Sequence, residues 1–335
     1  MTETASSRAR FSGLDGLRAV AVVMVLLYHA FPAGPFVGGF IGVDVFFVVS
    51  GFLITSLLLR ELADTGRIAL KEFWRRRARR LLPALAAVVT VCASVAGIVG
   101  GDVLTRLGAQ VLSAATFSFN WVSLATGDDY FSAASPGTLA AATPDLFRNL
   151  WSLAVEEQFY LVWPLLLPAL LLLRPRWSRS LVLAGAALAS AGWMTGLLLS
   201  GTGMTRVYFG TDTHAFGILG GAALAVALDR RRQTRIDGAL SGRTGSVVGL
   251  GALAGLLALA LVPTERDAAA FPFALIGASV LTVVTVAVAV SPGSPVGRLL
   301  DAAPLRWSLA IHRLGGTVVL MEKFDAAAAL AAIDR

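Results

Sequence analysis

The chain has a single cysteine, Cys92, and few charged residues, since Asp, Glu, Lys and Arg make up 15% of its 335 residues. A single cysteine excludes an internal disulfide. The sequence also lacks a GxSxG nucleophile elbow, an HExxH zinc motif and a Walker phosphate loop. Hydrolases of the elbow type, zinc proteases and ATPases therefore have no support from motifs.

Hydrophobic residues are abundant instead, at 56% of the chain with a mean hydropathy of +0.74. Apolar runs recur at 14–31, 39–59, 81–100, 105–124, 150–172, 181–200, 212–229, 245–262 and 271–291. A helix of about 20 apolar residues can cross a bilayer. The composition therefore predicts an all-α fold, a polytopic transmembrane helix bundle of about eight to ten membrane segments.

Basic residues cluster between the apolar runs, at 60–80, 174–179, 230–235 and 298–313. They account for the net charge of +7 without a nucleic-acid partner. Because basic loops stay in the cytoplasm, we expect these clusters and the N-terminus to be cytoplasmic, in a bacterial plasma membrane.

The chain must then cross the membrane an even number of times between the first two clusters. Three apolar runs lie in that interval, so one is not a simple span. We expect that one to be 105–124, which carries Arg106, Gln110 and Asn120, and to lie in the outer interface or re-enter. Eight clear spans remain.

The first run, LDGLRAVAVVMVLLYHAF, carries two ionisable residues, Arg18 and His29. On a helix they fall on nearly the same face, about 16 Å apart along the axis. Ionisable groups inside a membrane segment are costly and usually mark a functional site. His29 alone could also be an interfacial helix-end residue.

Other polar residues are expected at the depth of His29. A tight connection predicts that the first two spans form an antiparallel hairpin, which brings Asp44 near the level of His29. The outer ends of two later spans contribute Glu156, Glu157, Asp212 and His214. We expect these groups to converge on one layer.

Simpler interpretations remain open for several of these features. Asp44 could be structural, and neighbours on a helix diverge by about 100°, so one of Glu156 and Glu157 could be structural too. The rings of Trp151, Tyr160 and Trp163 fit an aromatic belt. The glycines of GGFIGVD could permit close helix packing. The basic run 74–80 could be a positive-inside anchor or could grip a phosphorylated ligand.

A histidine with a carboxylate neighbour is typical of a general base acting on a hydroxyl. A proton-coupled transporter or flippase would also need buried acids and a histidine. The residue types alone leave both classes open.

Several motifs, in order along residues 11–300, resemble the acyltransferase-3 membrane family. They are LDGLRAVAVVMVLLYHAF, GGFIGVDVFFVVSGFLITSLL, FWRRRARRLLPAL, NLWSLAVEEQFYLVWPLLL and VYFGTDTHAFGILGGAALA. The resemblance implies a membrane-bound O-acyltransferase. Such an enzyme moves an acyl group, often acetyl, from cytoplasmic acyl-CoA to a hydroxyl of a carbohydrate, a cell-envelope glycan or a secondary metabolite.

The resemblance also implies roles for individual residues. His29 would be the general base or would carry the acyl group, with Asp44 or Glu156 orienting or complementing it, and Glu157 is a further catalytic candidate. Acyl-CoA would be a donor substrate, and no cofactor would be bound permanently and no metal ligated. The donor phosphates would be bound by Arg18, Arg76, Arg77 and Arg80, and the substrate-binding candidates are Asp212, His214 and Tyr160.

Two departures from the family pattern stand out. His214 follows GTDT where the family usually has Arg. After 13–307, the expected membrane domain, the tail 308–335 lacks the family's last two spans and is interrupted by Glu322, Lys323 and Asp325. We expect a truncated or frameshifted C-terminus, which makes an inactive remnant a further alternative, and a cytoplasmic tail at 1–12.

Overall fold

The computed structural model describes residues 11–31, 34–127, 130–131, 146–229 and 242–302, apart from the side chains of residues 102, 103 and 266. All regular structure in this part of the chain is helical, which confirms the predicted all-α class. The helices are α1 Leu14–Ala30, α2 Gly42–Thr65, α3 Leu70–Val99, α4 Leu107–Ala115, α5 Phe119–Thr126, α6 Leu150–Leu171, α7 Trp177–Leu199, α8 Met204–Phe209, α9 Thr211–His214, α10 Phe216–Ala227, α11 Gly242–Leu259, α12 Phe271–Ala289 and α13 Pro295–Leu300. Short 3₁₀ turns occupy Gly39–Ile41, Gly101–Leu104 and Thr264–Arg266.

Six helical segments of the described chain are long and apolar enough to cross a membrane. They are Gly39–Thr65, Leu70–Val99, Leu150–Leu171, Trp177–Leu199, Gly242–Leu259 and Phe271–Ala289. Two predicted spans are shorter helices: 14–31 contains the 17-residue α1, and 212–229 divides into α9 and the 12-residue α10. The expected count of eight to ten membrane segments is therefore not confirmed.

The first basic cluster is helical, contrary to the expectation of a loop from 60 to 80. α2 continues to Thr65 and ends at Gly66 in the left-handed region (φ 74°), and α3 begins at Leu70. Arginine, lysine and glutamate are good helix formers, so the cluster extends the helix rather than interrupting it. α3 has 30 residues and is about 45 Å long, which exceeds the roughly 30 Å hydrocarbon core of a bilayer.

The segment 105–124 is divided, as expected for a run that is not a simple span. α4 ends at Ala115 and α5 begins at Phe119, with Phe117 between them at φ 52°. Gln158 of α6 holds this break, because its amide Nε2 donates to the Phe117 carbonyl at 2.8 Å and to Asn120 Oδ1 at 3.0 Å. An unusual backbone conformation is thus compensated by hydrogen bonds from a neighbouring helix.

α2 lies at the centre of the bundle and packs against α1, α6, α10 and α12. Its closest approach is to α10, where a Cβ on Gly51 would lie 1.9 Å from the Ile218 carbonyl oxygen and a Cβ on Gly221 would lie 2.0 Å from the Val48 carbonyl oxygen. The glycines of GGFIGVD behave in the same way, since Gly39 and Gly42 abut the α1 backbone. Small residues thus allow these helices to meet backbone to backbone.

α1 runs antiparallel to α2, so the bundle has an end marked by Arg60 and an end marked by His29. We call these the Arg60 end and the His29 end. Several predictions lie outside the described residues: most of the N-terminal tail 1–12, most of the outer loop 125–149, the basic cluster 230–235 and the tail 308–335.

Candidate functional site

His29 is half-buried near the C-terminal end of α1, with both ring nitrogens engaged. Nδ1 lies 2.8 Å from the Val25 carbonyl oxygen one turn earlier, and Nε2 lies 3.3 Å from the Tyr130 hydroxyl. A carbonyl only accepts, so Nδ1 carries the hydrogen and Nε2 is the basic nitrogen, which accepts from the phenol. The basic nitrogen of His29 therefore faces a hydroxyl group.

Tyr130 was not predicted as a site residue. It belongs to the polar connection between α5 and α6, and its only signal in the sequence is an aromatic pair, Tyr130-Phe131, amid Gly, Ser and Asp. Its backbone N–H donates to Thr205 Oγ1 at 3.0 Å, and its ring lies 5.5 Å from the rings of Tyr208 and Phe209. These contacts hold the phenol in place beside His29.

Asp44 was expected to complement His29, but no hydrogen bond joins the two in the described structure. Asp44 Oδ1 instead lies 3.0 Å from Nε2 of His214, and both side chains are completely buried. Nδ1 of His214 lies 2.7 Å from the Tyr208 carbonyl oxygen, and the Ser279 hydroxyl donates to Asp44 Oδ1 at 3.4 Å. Helix depth predicted the level of Asp44 but not the direction in which it points.

His214 is surrounded by aromatic rings. Those of Trp151 and Phe216 stack on it at 5.6 and 5.3 Å, and Phe47 meets it edge-on at 5.2 Å. The interpretation of Trp151, Tyr160 and Trp163 as an aromatic belt is wrong, because all three are core residues with at most 4% of their surface exposed. His214 has no surface that a substrate could reach among the described residues.

The two adjacent glutamates of α6 have different partners, as expected from their divergence on the helix. Glu156 accepts from the Ser50 hydroxyl of α2 at 2.9 Å and from the Tyr160 hydroxyl at 3.4 Å. Glu157 pairs with Arg77 of α3 at 3.1 Å. Neither glutamate hydrogen-bonds to His29 within the described structure. The Ser50 of the SGFL motif thus has a partner that the sequence did not suggest.

Three of the four predicted donor-binding arginines come together. The Arg77 guanidinium lies over the Tyr160 ring, 3.3 Å from its centroid. Arg80 is close enough to Arg18 and Arg77 to be repelled by both, and Arg18 and Arg77 both attract Glu156. Arg76 points elsewhere and pairs with Glu61 at 3.5 Å. A cationic cluster of Arg18, Arg77 and Arg80 therefore borders the two glutamates.

Asp212 is exposed and lies apart from this cluster. Arg206 of α8 binds it with two hydrogen bonds, at 3.0 and 2.8 Å, and Trp193 of α7 donates its indole N–H at 2.9 Å. The predicted single layer of polar groups is thus divided into four groups in the described structure: His29 with Tyr130, Asp44 with His214, Glu156 and Glu157 with the Arg77 region, and Asp212 with Arg206. In the described residues, no group of three His, Cys, Asp or Glu side chains could hold a metal ion.

Each site offers a different chemistry. His29 is oriented as a base toward a hydroxyl, which suits proton removal from an attacking oxygen. The cationic cluster offers guanidinium donors, which suit phosphate. The Asp44–His214 pair is completely buried and joins α2 to α9.

Comparison with known proteins agrees with this chemistry. Residues 11–293 match a family described as an acyltransferase domain, acyltransferase-3. Peptidoglycan O-acetyltransferase OatA of Listeria monocytogenes is 34% identical over 310 residues, which cover 91% of this chain and 48% of that protein. A putative peptidoglycan O-acetyltransferase of Bacillus subtilis, YrhL, is 35% identical over 301 residues, covering 88% of this chain and 46% of that protein.

A putative O-acetyltransferase of Staphylococcus aureus is 41% identical over 214 residues, which cover 64% of this chain and 34% of that protein. This chain thus spans about half the length of the curated relatives it matches, or less. No solved structure matches the chain. The family match from Phe11 to Gly293 takes in every candidate site residue, and this chain therefore belongs to the acyltransferase-3 family.

Proposed function

We propose that this chain transfers an acyl group, acetyl by analogy with the names of its relatives, from acyl-CoA to a hydroxyl of a cell-envelope glycan. The observation that carries the proposal is the orientation of His29. Its Nδ1 is committed to the Val25 carbonyl, and its basic Nε2 faces an oxygen 3.3 Å away. Acyl transfer to a hydroxyl requires a base whose unprotonated nitrogen points at the hydroxyl oxygen, and Nε2 of His29 has this orientation.

The proposed reaction is balanced without a permanent cofactor. Nε2 of His29 takes the proton of the acceptor hydroxyl while the oxygen attacks the thioester carbon. A carbon–oxygen bond forms, the carbon–sulfur bond breaks, and the proton passes from the imidazolium to the leaving thiolate. The Tyr130 hydroxyl is the oxygen beside Nε2 in the structure, and an acceptor hydroxyl would need the same position.

The donor site is proposed from charge. Arg18 and Arg80 lie beside Arg77, toward the Arg60 end of the bundle. Arg77 is held between Glu157 and Tyr160, so a donor phosphate would have to share it. Arg18 and His29 are about 16 Å apart along α1. That separation suits a donor whose phosphates and thioester lie at opposite ends of a long arm.

We propose further that the Arg60 end is cytoplasmic and the His29 end external, because the basic residues concentrate at the former. Single cysteines at Asp64 and Thr202, introduced in a Cys92→Ser background, test this with a membrane-impermeant thiol reagent on whole cells. Thr202 should be labelled from outside and Asp64 only after lysis. The reverse pattern would contradict the orientation.

Acyl transfer is tested with labelled acetyl-CoA in membranes that contain the full chain. His29→Ala should lower transfer by about 10²–10⁴-fold, the usual effect of losing a general base. Leu26→Ala is the matched control, since Leu26 lies on the same helix with 44% of its surface exposed. Both variants should accumulate to the level of the unsubstituted chain.

Three outcomes would overturn the proposal. Full activity in His29→Ala would leave the histidine as a helix-end residue. An intact thioester together with movement of a solute across the membrane would favour the transporter alternative. An absence of transfer by the unsubstituted chain, at normal membrane levels and with acceptor present, would identify an inactive protein.

A further inference from the structure

Four helices bring two tryptophans to either side of an ion pair near the His29 end. Arg206 of α8 and Asp212 of α9 form the pair. The Arg206 guanidinium carbon lies 5.5 Å from the ring centroid of Trp121 of α5, and Trp193 of α7 donates to Asp212 Oδ2 at 2.9 Å. We call these four residues the tryptophan-flanked pair.

The two indole rings are held by their N–H groups. Trp193 donates to Asp212, and Trp121 donates to Gln158 Oε1 at 3.3 Å. Even so, 53% of Trp193 and 40% of Trp121 is exposed. A tryptophan in an aromatic belt keeps its apolar ring in lipid and its N–H toward water or head groups. Here the N–H groups bind protein, and the rings are fixed with much of their surface uncovered.

The charge of the pair selects the ligand class. One cation and one anion sit side by side, with 33% and 38% of their side chains exposed. An anionic ligand would be repelled by Asp212, and a cationic one by Arg206. A neutral ligand with several hydroxyl or amide groups can use the remaining guanidinium donors and carboxylate lone pairs together. Its apolar face can lie against a fixed aromatic ring.

Gly210 makes room for this arrangement. A Cβ at that position would lie 2.1 Å from Arg206 Nη1 and 2.6 Å from Asp212 Oδ1. Any side chain larger than hydrogen would therefore displace the pair. Its neighbourhood also connects to His29, because Thr205, the residue before Arg206, accepts the hydrogen bond from the backbone of Tyr130. Helix α8 thus carries Arg206 of the tryptophan-flanked pair and, one residue earlier, the contact to the segment that places Tyr130 beside His29.

We propose that the tryptophan-flanked pair is a carbohydrate-binding subsite for a neutral sugar unit. The proposal rests on the proposed glycan acceptor and deepens it. A glycan that presents a hydroxyl to His29 would cross α8 and place a neighbouring sugar ring against Trp121 and Trp193. The sugar hydroxyl and amide groups would bond to Arg206 and Asp212.

The test uses the full chain in phosphatidylglycerol nanodiscs and a soluble probe, the tetrasaccharide of N-acetylglucosamine. Binding is measured by saturation-transfer NMR, so that it does not depend on activity. Trp193→Ala and Asp212→Asn should each weaken binding by about tenfold, the scale of one aromatic or polar contact. Trp193→Phe should retain most of the affinity, because it keeps an aromatic face.

Trp177→Ala is the matched control. Trp177 is the first residue of the same helix, α7, and 51% of it is exposed, but it lies at the opposite end from Trp193. It should bind the probe like the unsubstituted chain. Thermal unfolding of each variant separates loss of the subsite from loss of the fold, and Trp193→Phe provides a second test if Trp193→Ala is unstable.

The subsite proposal fails if the unsubstituted chain does not bind the tetrasaccharide, or if Trp193→Ala and Asp212→Asn bind it unchanged. It also fails if the substitutions leave probe binding unchanged and alter only the thermal stability of the chain, measured in a second set of nanodiscs made of phosphatidylethanolamine. That result would indicate that the four residues bind a lipid head group. His29→Ala should bind the probe normally. Acetyl transfer to glycan by a chain without probe binding would overturn the subsite and leave the proposed function standing.

Discussion

The buried Asp44–His214 pair should show strong energetic coupling when both residues are replaced. Both nitrogens of His214 face acceptors, the Tyr208 carbonyl and the Asp44 carboxyl group. For both hydrogen bonds to form, either both nitrogens carry hydrogen or Asp44 supplies a proton to Nε2. The pair is neutral overall in both cases, and it shares one proton. The pair therefore places no net charge in the core.

The magnitude follows from complete burial. His214→Phe keeps a ring between Trp151 and Phe216 but leaves the Asp44 carboxyl group with only the Ser279 hydroxyl, at 3.4 Å. The other carboxyl oxygen, Oδ2, already has no hydrogen-bond partner within the described structure. Removing one partner of a buried pair costs about 3–5 kcal/mol.

Replacing both partners with apolar groups of similar size removes the uncompensated charge. The double variant Asp44→Leu/His214→Phe should therefore cost about as much as one single substitution, which corresponds to a coupling of about 3–5 kcal/mol. Two substitutions at residues that are not in contact should instead have additive effects on the free energy of unfolding.

The assay is reversible unfolding of the purified chain in mixed detergent micelles, followed by tryptophan fluorescence. Free energies of unfolding are measured for Asp44→Leu, His214→Phe and the double variant. The control cycle combines His214→Phe with Val95→Ala on α3, which should be additive within about 0.5 kcal/mol. Additive effects of the Asp44 and His214 substitutions would refute the reasoning. So would a change in the acceptor KM of the folded fraction, which would assign His214 to substrate binding.

Three further predictions address packing, the base and the donor. Gly51→Ala should lower the free energy of unfolding by about 1–3 kcal/mol, as forced overpacking does, whereas Gly192→Ala, with open space around it, should leave it unchanged or slightly raised. Tyr130→Phe should leave acyl transfer unchanged or raise it at unchanged protein level, because the phenol occupies the place beside Nε2 that the acceptor hydroxyl needs; a loss of about tenfold would show that the phenol itself takes part in the reaction. Arg18→Lys should raise the KM for acetyl-CoA and retain much of kcat, because a point charge replaces a forked donor, and an unchanged KM would assign Arg18 to structure.

The all-helical class and six of the membrane segments could be predicted from the sequence, whereas the count of eight to ten could not be confirmed. Long apolar runs fix where helices form because a bilayer requires satisfied backbone groups. The polar residues of 105–124 predicted that this run is not a simple span, and in the structure it is divided into α4 and α5. The basic run after Arg60 is largely helical although its charge predicts a loop, because arginine and lysine favour helix.

The pairing of the polar groups could not be predicted. Hydrophobic runs and topology give the depth of a residue, but a contact also depends on the rotation of each helix and on its neighbours. Asp44 and His214 are 170 positions apart and meet because α10 packs closely on α2 through Gly51 and Gly221. Tyr130 reaches His29 through a loop whose path carries no periodic signal. The buried Trp151 shows that an aromatic residue near a helix end can belong to the core as readily as to a belt.

The hydrogen bond from His29 to Val25 separates two properties of the site that could otherwise change together. The orientation of the imidazole is set by Val25, one turn away on the same helix. The hydroxyl that it faces belongs to Tyr130 in the connection between α5 and α6, and the backbone of Tyr130 is bound by Thr205 of α8. Substitutions in that connection can therefore alter which oxygen meets the base while the base keeps its direction. In an evolving family, substitutions around Tyr130 could therefore change the preferred acceptor, while the helix that carries His29 keeps the same reaction chemistry.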